Sequence, residues 1–192
     1  MDRRTYLASG TLAAAALAGC SADALPLGGP TDLSGPERQA EDDETYHVYR
    51  VDGDRLLVVG ALYQTPPAAG AARLPFRLHV WHAEDTHVDD LSYTIRCPAG
   101  DPNGQVPLYL ERPSGSPWPD TTFERGAEIN ETVLELSNLD LQGEGSITLS
   151  LLAEAGDRAA VPVAVDYEVS LSGDGGPYRA DDSLSFTLGT GD

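Results

Sequence analysis

The sequence predicts an all-β fold, an antiparallel β-sandwich, and three observations carry that expectation. From Tyr46 onward apolar residues recur at every second position, the period of a strand with one face in a core and one in water. Gly, Pro, Asp and Asn break these runs at short intervals, as turns between short strands require. Helical periodicity is nearly absent from the same stretch. At 192 residues the chain suits one domain of about 150 residues once a leader and a tether are set aside, long enough for a core of its own.

Nine strands are expected, over residues 46–51, 56–63, 76–81, 91–97, 106–110, 128–136, 147–152, 163–171 and 184–188. The clearest sets Val163, Val165, Tyr167, Val169 and Leu171 on one face and Ala164, Asp166, Glu168 and Ser170 on the other. Asp52-Gly53 between the first two is a hairpin turn by composition, because such turns need positive φ. Many short strands with turn signals between them point to a sandwich of the immunoglobulin or fibronectin kind. Leu136-Ser137-Asn138-Leu139, followed by Gly143 or Gly145, resembles the corner before a late strand in those families, with Ile147 near where they keep a tyrosine. The paired cysteines of antibody domains are absent, since the body holds Cys97 alone.

Ahead of this body, residues 20–44 carry Gly28-Gly29-Pro30, Ser34-Gly35-Pro36 and the acidic run Glu41-Asp42-Asp43-Glu44 without apolar periodicity. That composition predicts a flexible linker, with the sandwich over residues 45–192. The first 19 residues read differently. Arg3-Arg4-Thr5-Tyr6-Leu7 precedes a mild, alanine-rich apolar run, and Leu17-Ala18-Gly19 leads into Cys20. The segment resembles a twin-arginine export signal joined to a lipobox. The resemblance implies export through Arg3 and Arg4, cleavage before Cys20, and a lipid on that cysteine holding the chain to the outer face of the membrane. The apolar run is too short and too rich in small residues to span a bilayer, which needs about 20 apolar residues.

The charge balance narrows the setting. Against 31 acidic residues stand 12 basic ones, all arginine, for a net charge of −19 that becomes −20 on loss of residues 1–19. Molar salt shrinks the Debye length to about 3 Å and relieves the self-repulsion. Acidity with no lysine and many small residues resembles the proteins of salt-loving archaea, and the chain as a whole is similar to their twin-arginine lipoproteins with an Ig-like domain. Nucleic acid is excluded as a partner on the same ground, for phosphate binding needs clustered cations.

Candidate sites are few. Residues 79–90 hold three of the four histidines, His79, His82 and His87, among Glu84, Asp85, Asp89 and Asp90. On a strand His79 and Trp81 share a face and His82 falls opposite. Should the loop fold back, His82, Asp85 and His87 would suit Cu(II) or Zn(II), which take imidazole with carboxylate; an acidic loop with incidental histidines is the plainer reading. Asp101-Pro102-Asn103-Gly104, and Asp174 with Asp181 and Asp182, echo calcium-loop chemistry without completing it. Trp118 between two prolines is either a stacking platform or a cap on the core. Cys97 reads as a buried small hydrophobe. Asn130-Glu131-Thr132 is a glycosylation acceptor triplet, which requires Asn130 exposed on the polar face of its strand. No nucleophile elbow, zinc-protease helix or phosphate loop occurs. The expectation is therefore a non-enzymatic structural or binding module at the cell surface, engaging a protein or glycan. A metal- or solute-binding lipoprotein built on residues 79–90 is the alternative.

Overall fold

The computed structural model describes residues 29–63, 72–98, 106–111, 119–128, 130–137, 139, 145–156 and 158–189. Twelve strands occur among them. They are β1 (Thr31–Leu33), β2 (Glu37–Glu41), β3 (Glu44–Val51), β4 (Asp54–Leu62), β5 (Arg73–His82) and β6 (Thr86–Arg96), then β7 (Leu108–Glu111), β8 (Asp120–Arg125), β9 (Glu131–Ser137), β10 (Gly145–Glu154), β11 (Ala160–Gly173) and β12 (Tyr178–Gly189). They form two six-stranded sheets, ordered β1-β12-β11-β6-β9-β8 and β2-β3-β4-β5-β10-β7. Every pairing is antiparallel except that of β1 with β12. The chain belongs to the all-β class and has the sandwich architecture read from its period-2 pattern.

That pattern acts most clearly in β11, where Val161, Val163, Val165, Tyr167, Val169 and Leu171 all turn into the core. Register places Leu188, Phe186, Leu184, Ala180 and Tyr178 of β12 beside them on the same face. In β6 the inward set is Thr86 and Val88, then Leu91, Tyr93 and Ile95. The change of parity is absorbed by a bulge opposite Ser170 and Leu171, which lets the consecutive Asp89 and Asp90 both face water. The two sheets meet through rings as well as aliphatics. Tyr63, which follows β4, stacks on Phe186 of β12 at 4.9 Å, and Phe76 of β5 tilts against the same ring at 5.7 Å. Asp52 and Gly53 adopt φ of 54° and 94° in the β3–β4 hairpin, as the sequence required.

Several elements differ from expectation. β1 and β2 lie within residues 20–44, the span read as linker, so the folded domain begins near Thr31 and not at residue 45. Neither strand has an apolar period to betray it: β2 is exposed throughout, and β1 is anchored by one buried side chain, Leu33. They form because their backbones complete the ladders of β12 and β3, and the charged side chains of β2 guard an edge that would otherwise recruit other strands. The mostly exposed edge strand β8 escaped the pattern for the same reason. β9 starts at Glu131, three residues later than read. β12 runs from Tyr178, well before residue 184, because Asp181-Asp182-Ser183 hides its alternation.

Leu33 offers a check on where the domain begins. Leu33→Ala should lower stability by about 2 kcal/mol, the low end of buried leucine truncations, as measured by denaturant unfolding. A flexible linker over residues 20–44 would leave the unfolding midpoint unchanged.

Candidate functional site

The residues proposed as metal ligands are not assembled into one site. His82 ends β5 on its core face, fully buried, whereas Asp85 is exposed in the turn and His87 lies on the outward face of β6, between the inward Thr86 and Val88. Among the described residues no group of three or more His, Cys, Asp or Glu is placed to hold a metal ion. The physical reason is the pleat: successive residues alternate faces, and the three-residue turn between β5 and β6 is too tight to fold back. His82 has a structural task instead. The Thr86 hydroxyl donates to the Ala83 carbonyl at 2.8 Å and in turn accepts from Nδ1 of His82 at 3.1 Å. Its Nε2 is buried without a partner among the described residues, and burial lowers the pKa of the ring, keeping it neutral.

Asn130 departs from the requirement set for it. It sits in the turn before β9 at φ 75°, half-buried, with Oδ1 enclosed and unpartnered among the described residues. Asp181 and Asp182 face opposite sides of β12. Cys97 is a free, buried thiol whose pKa is pushed up to about 12 by burial, so it is inert at neutral pH. Arg3, Arg4, Cys20, Asp101, Asn103 and Trp118 lie outside the described residues.

A polar seam crosses the sandwich where β2 and β3 meet β11 and β12. Arg38 of β2 donates twice to the Asp182 carboxylate, at 3.0 and 3.1 Å. Asp182 stands 3.6 Å from Nδ1 of the buried His47, which shares a 2.7 Å hydrogen bond with the Tyr167 hydroxyl. Tyr167 and Tyr49 share another of 2.7 Å. Burial holds His47 below the ordinary histidine range, while the Ser183 N–H and Arg38 outweigh burial to hold Asp182 below the carboxylate range. Burial keeps both tyrosines protonated. The set contains an imidazole and a carboxylate, but His47 and the tyrosines face inward, out of substrate's reach. Its work is to tie the sheets together.

The open site lies on the solvent side of the other sheet. In register across five strands stand Gln39, Tyr46, Gly60, His79 and Thr148; the next row holds Val48, Val58 and Trp81, and Leu62 pairs with Arg77 on the far side. These rows line a groove of about 490 Å³, which Arg55 also borders. Its floor is Gly60, where a Cβ would overlap the Tyr46 ring lying across it. Val48 and Val58 are 6% and 8% exposed although they stand outside the core. The Arg55 guanidinium lies 4.2 Å above the Trp81 ring. Tyr46 donates to Glu44 at 2.5 Å, and burial with that carboxylate raises its pKa. His79 shares a 3.1 Å hydrogen bond with Thr148, and burial lowers its pKa.

Among the described residues no carboxylate lines this groove. The outer face of the β11 sheet is the reverse, its depressions bordered by Asp90, Asp120, Glu135, Asp166, Glu168 and Asp181. Sequence reading placed His79 and Trp81 on one face but sought chemistry in the loop beyond them. The signal it passed over is the unbroken apolar run 56–62. A strand apolar on both faces, in a sheet with one face to water, marks an outer surface built for something other than solvation.

Residues 30–190 match the model of a family described as a domain of unknown function, DUF8121, and the chain belongs to that family. No curated protein matches it. Among solved structures it is similar to the collagen-binding subdomain of the Enterococcus faecalis surface protein ACE, at 11% identity and a TM-score of 0.39, over 62% of this chain and 90% of that one. It is also similar to a chain of a type I cohesin–dockerin complex from Clostridium thermocellum, at 10% identity and a TM-score of 0.39, over 77% and 97% of the two chains.

The three buried or half-buried histidines with lowered pKa values set a pH dependence. The unfolded chain takes up protons near the ordinary histidine pKa of about 6.5 while the folded one resists, so stability is full above that pH and falls below it. Asp182, lowered from its ordinary value, acts only at more acid pH, where its contribution is lost. Melting temperature measured in molar salt, which screens the changing net charge, should therefore drop from pH 7 to pH 5. The drop should be shallower in His82→Gln, and a flat profile would show that these rings are not held neutral.

Proposed function

We propose that this member of the DUF8121 family is a lipid-anchored, non-enzymatic binding module on the outer face of the cell membrane, with the groove over β3, β4 and β5 as its ligand face. One observation carries the binding role: in a chain of net charge −19, a concave patch lined by Tyr46, Trp81, Arg55 and Arg77, and among the described residues by no carboxylate, sits on the outer face of its sheet. Its volume falls within the range of about 300–1,000 Å³ usual for ligand clefts. Arg3-Arg4 and the Leu17 to Cys20 stretch support the address. The excess of acidic residues fits work in concentrated salt, where screening removes their repulsion.

The imidazole and carboxylate of His47 and Asp182 lie together but serve the buried seam and not an open site. The metal-binding alternative loses its basis once His82 and His87 face different ways.

Two results test this reading. Cys20→Ser should move the protein from the membrane fraction to the medium, followed by immunoblot; retention would refute the anchor. Trp81→Ala, folded by its melting curve, should lower capture of the protein on isolated cell envelopes at least fivefold. Unchanged capture would remove the groove from the function.

A further inference from the structure

Resting on the binding-module reading, we infer that the groove takes an acidic oligosaccharide, with sugar rings against Tyr46 and Trp81 and a uronate carboxylate on Arg77. Three observations select this occupant. The first is charge. Outside the leader and the groove eight arginines stand against 30 acidic residues, yet Arg55 and Arg77 both border this one cleft. Arg77 forms no ion pair among the described residues, and Arg55 rests on the Trp81 ring and not on a carboxylate. Asp43, Glu44 and Glu111 share the adjoining depression with Arg77, and at the groove's rim Glu44 and Glu37 are already engaged as acceptors from Tyr46 and Gln39. An anion entering the groove thus meets planar guanidinium donors that a carboxylate fits in bidentate fashion.

The second is the lining. Apolar surface from Tyr46, Leu62 and Trp81, backed by the buried Val48 and Val58, alternates with side chains that both donate and accept, Gln39, His79 and Thr148. Pyranose rings present that same combination, apolar C–H faces edged by hydroxyls. The lowered pKa of His79 keeps its imidazole neutral, able to give a hydrogen bond at one nitrogen and accept at the other.

The third is the position of the groove in the sheet. It lies over the middle strands β3, β4 and β5, whose backbone groups are already spent on their neighbours. An acidic peptide laid there finds no strand edge to pair with, and its own N–H and C=O groups go unsatisfied, whereas peptide recognition by sheets works through exposed edges. A second copy of the chain would offer its acidic β11 sheet, but that face is broad, and a stable protein interface needs about 800 Å² on each side. A cleft of about 490 Å³ suits a few sugar rings better.

The test is calorimetric titration of the full chain with hexagalacturonate, with uncharged maltohexaose and hexaglutamate as comparisons. Hexagalacturonate should bind, maltohexaose and hexaglutamate at least tenfold more weakly. Arg77→Gln and Trp81→Ala should each weaken hexagalacturonate at least tenfold, with Arg77→Gln melting at the wild-type temperature because its side chain is exposed. Equal binding of hexaglutamate would overturn the sugar specificity, equal binding of maltohexaose the acid requirement, and equal affinity in the variants the location. Absence of hexagalacturonate binding overturns the inference. If Trp81→Ala still lowers capture on envelopes in that case, the binding-module reading stands without it; if capture is also unchanged, both fall.

Discussion

The inward face of β11 is the constraint to which the other strands answer. Its side chains are matched on one flank by Tyr178, Ala180, Leu184, Phe186 and Leu188 of β12, and on the other by Val88, Leu91, Tyr93 and Ile95 of β6. A slip of one residue at either ladder would turn a whole apolar row to water. The bulge in β6 belongs to the same logic. Two aspartates in succession cannot both point outward along a regular strand, and the extra residue lets them do so while the apolar rows stay in step.

Against that apolar background the seam of Arg38, Asp182, His47, Tyr167 and Tyr49 is a costly choice, because buried polar groups gain little over apolar ones of the same shape. Its geometry points to specificity of assembly. Asp182 is the one carboxylate on the inward face of β12, and Arg38, its partner, comes from the edge strand of the opposite sheet. Each hydrogen bond in the chain requires the other sheet to be in place, so a misregistered sandwich would leave the buried His47, Tyr167 and Tyr49 unpaired at a cost of about 1–3 kcal/mol each. A second polar cluster works within one sheet, across β11, β6 and β9. Arg96 bridges Asp166 and the largely buried Glu131, which also accepts the Glu128 N–H and so closes the turn into β9.

With the interior accounted for, the two outer faces differ in kind. One follows the rule of the whole chain and presents carboxylates among serines and threonines. The other gathers aromatic, apolar and guanidinium groups over a glycine floor. Solvation explains the first. It does not explain Val48 and Val58, which are shielded from water by neighbours on a face over which the described residues place no second layer. Large side chains that cover one another on an open sheet leave a shaped surface, and shape with unspent cations is what recognition requires.

How much of this could be read in advance follows from the range of the forces involved. Period-2 alternation is local, so residues 163–171, the Asp52-Gly53 turn and the sharing of a face by His79 and Trp81 were legible from the chain. Strands held chiefly by backbone pairing were not, because β1, β2 and β8 carry no sustained apolar rhythm and form only once a partner edge exists. The acidity of the protein and the inertness of a lone Cys97 likewise belonged to the sequence. Which histidines meet which partners did not. His47 and Tyr167 are 120 residues apart, and Gln39, Tyr46, Gly60, His79 and Thr148 become one row only through four separate ladder registers. Composition and local period decide what each strand can bury, whereas the order of strands decides which outward side chains become neighbours, and that order is set by long-range burial that no short stretch of sequence records.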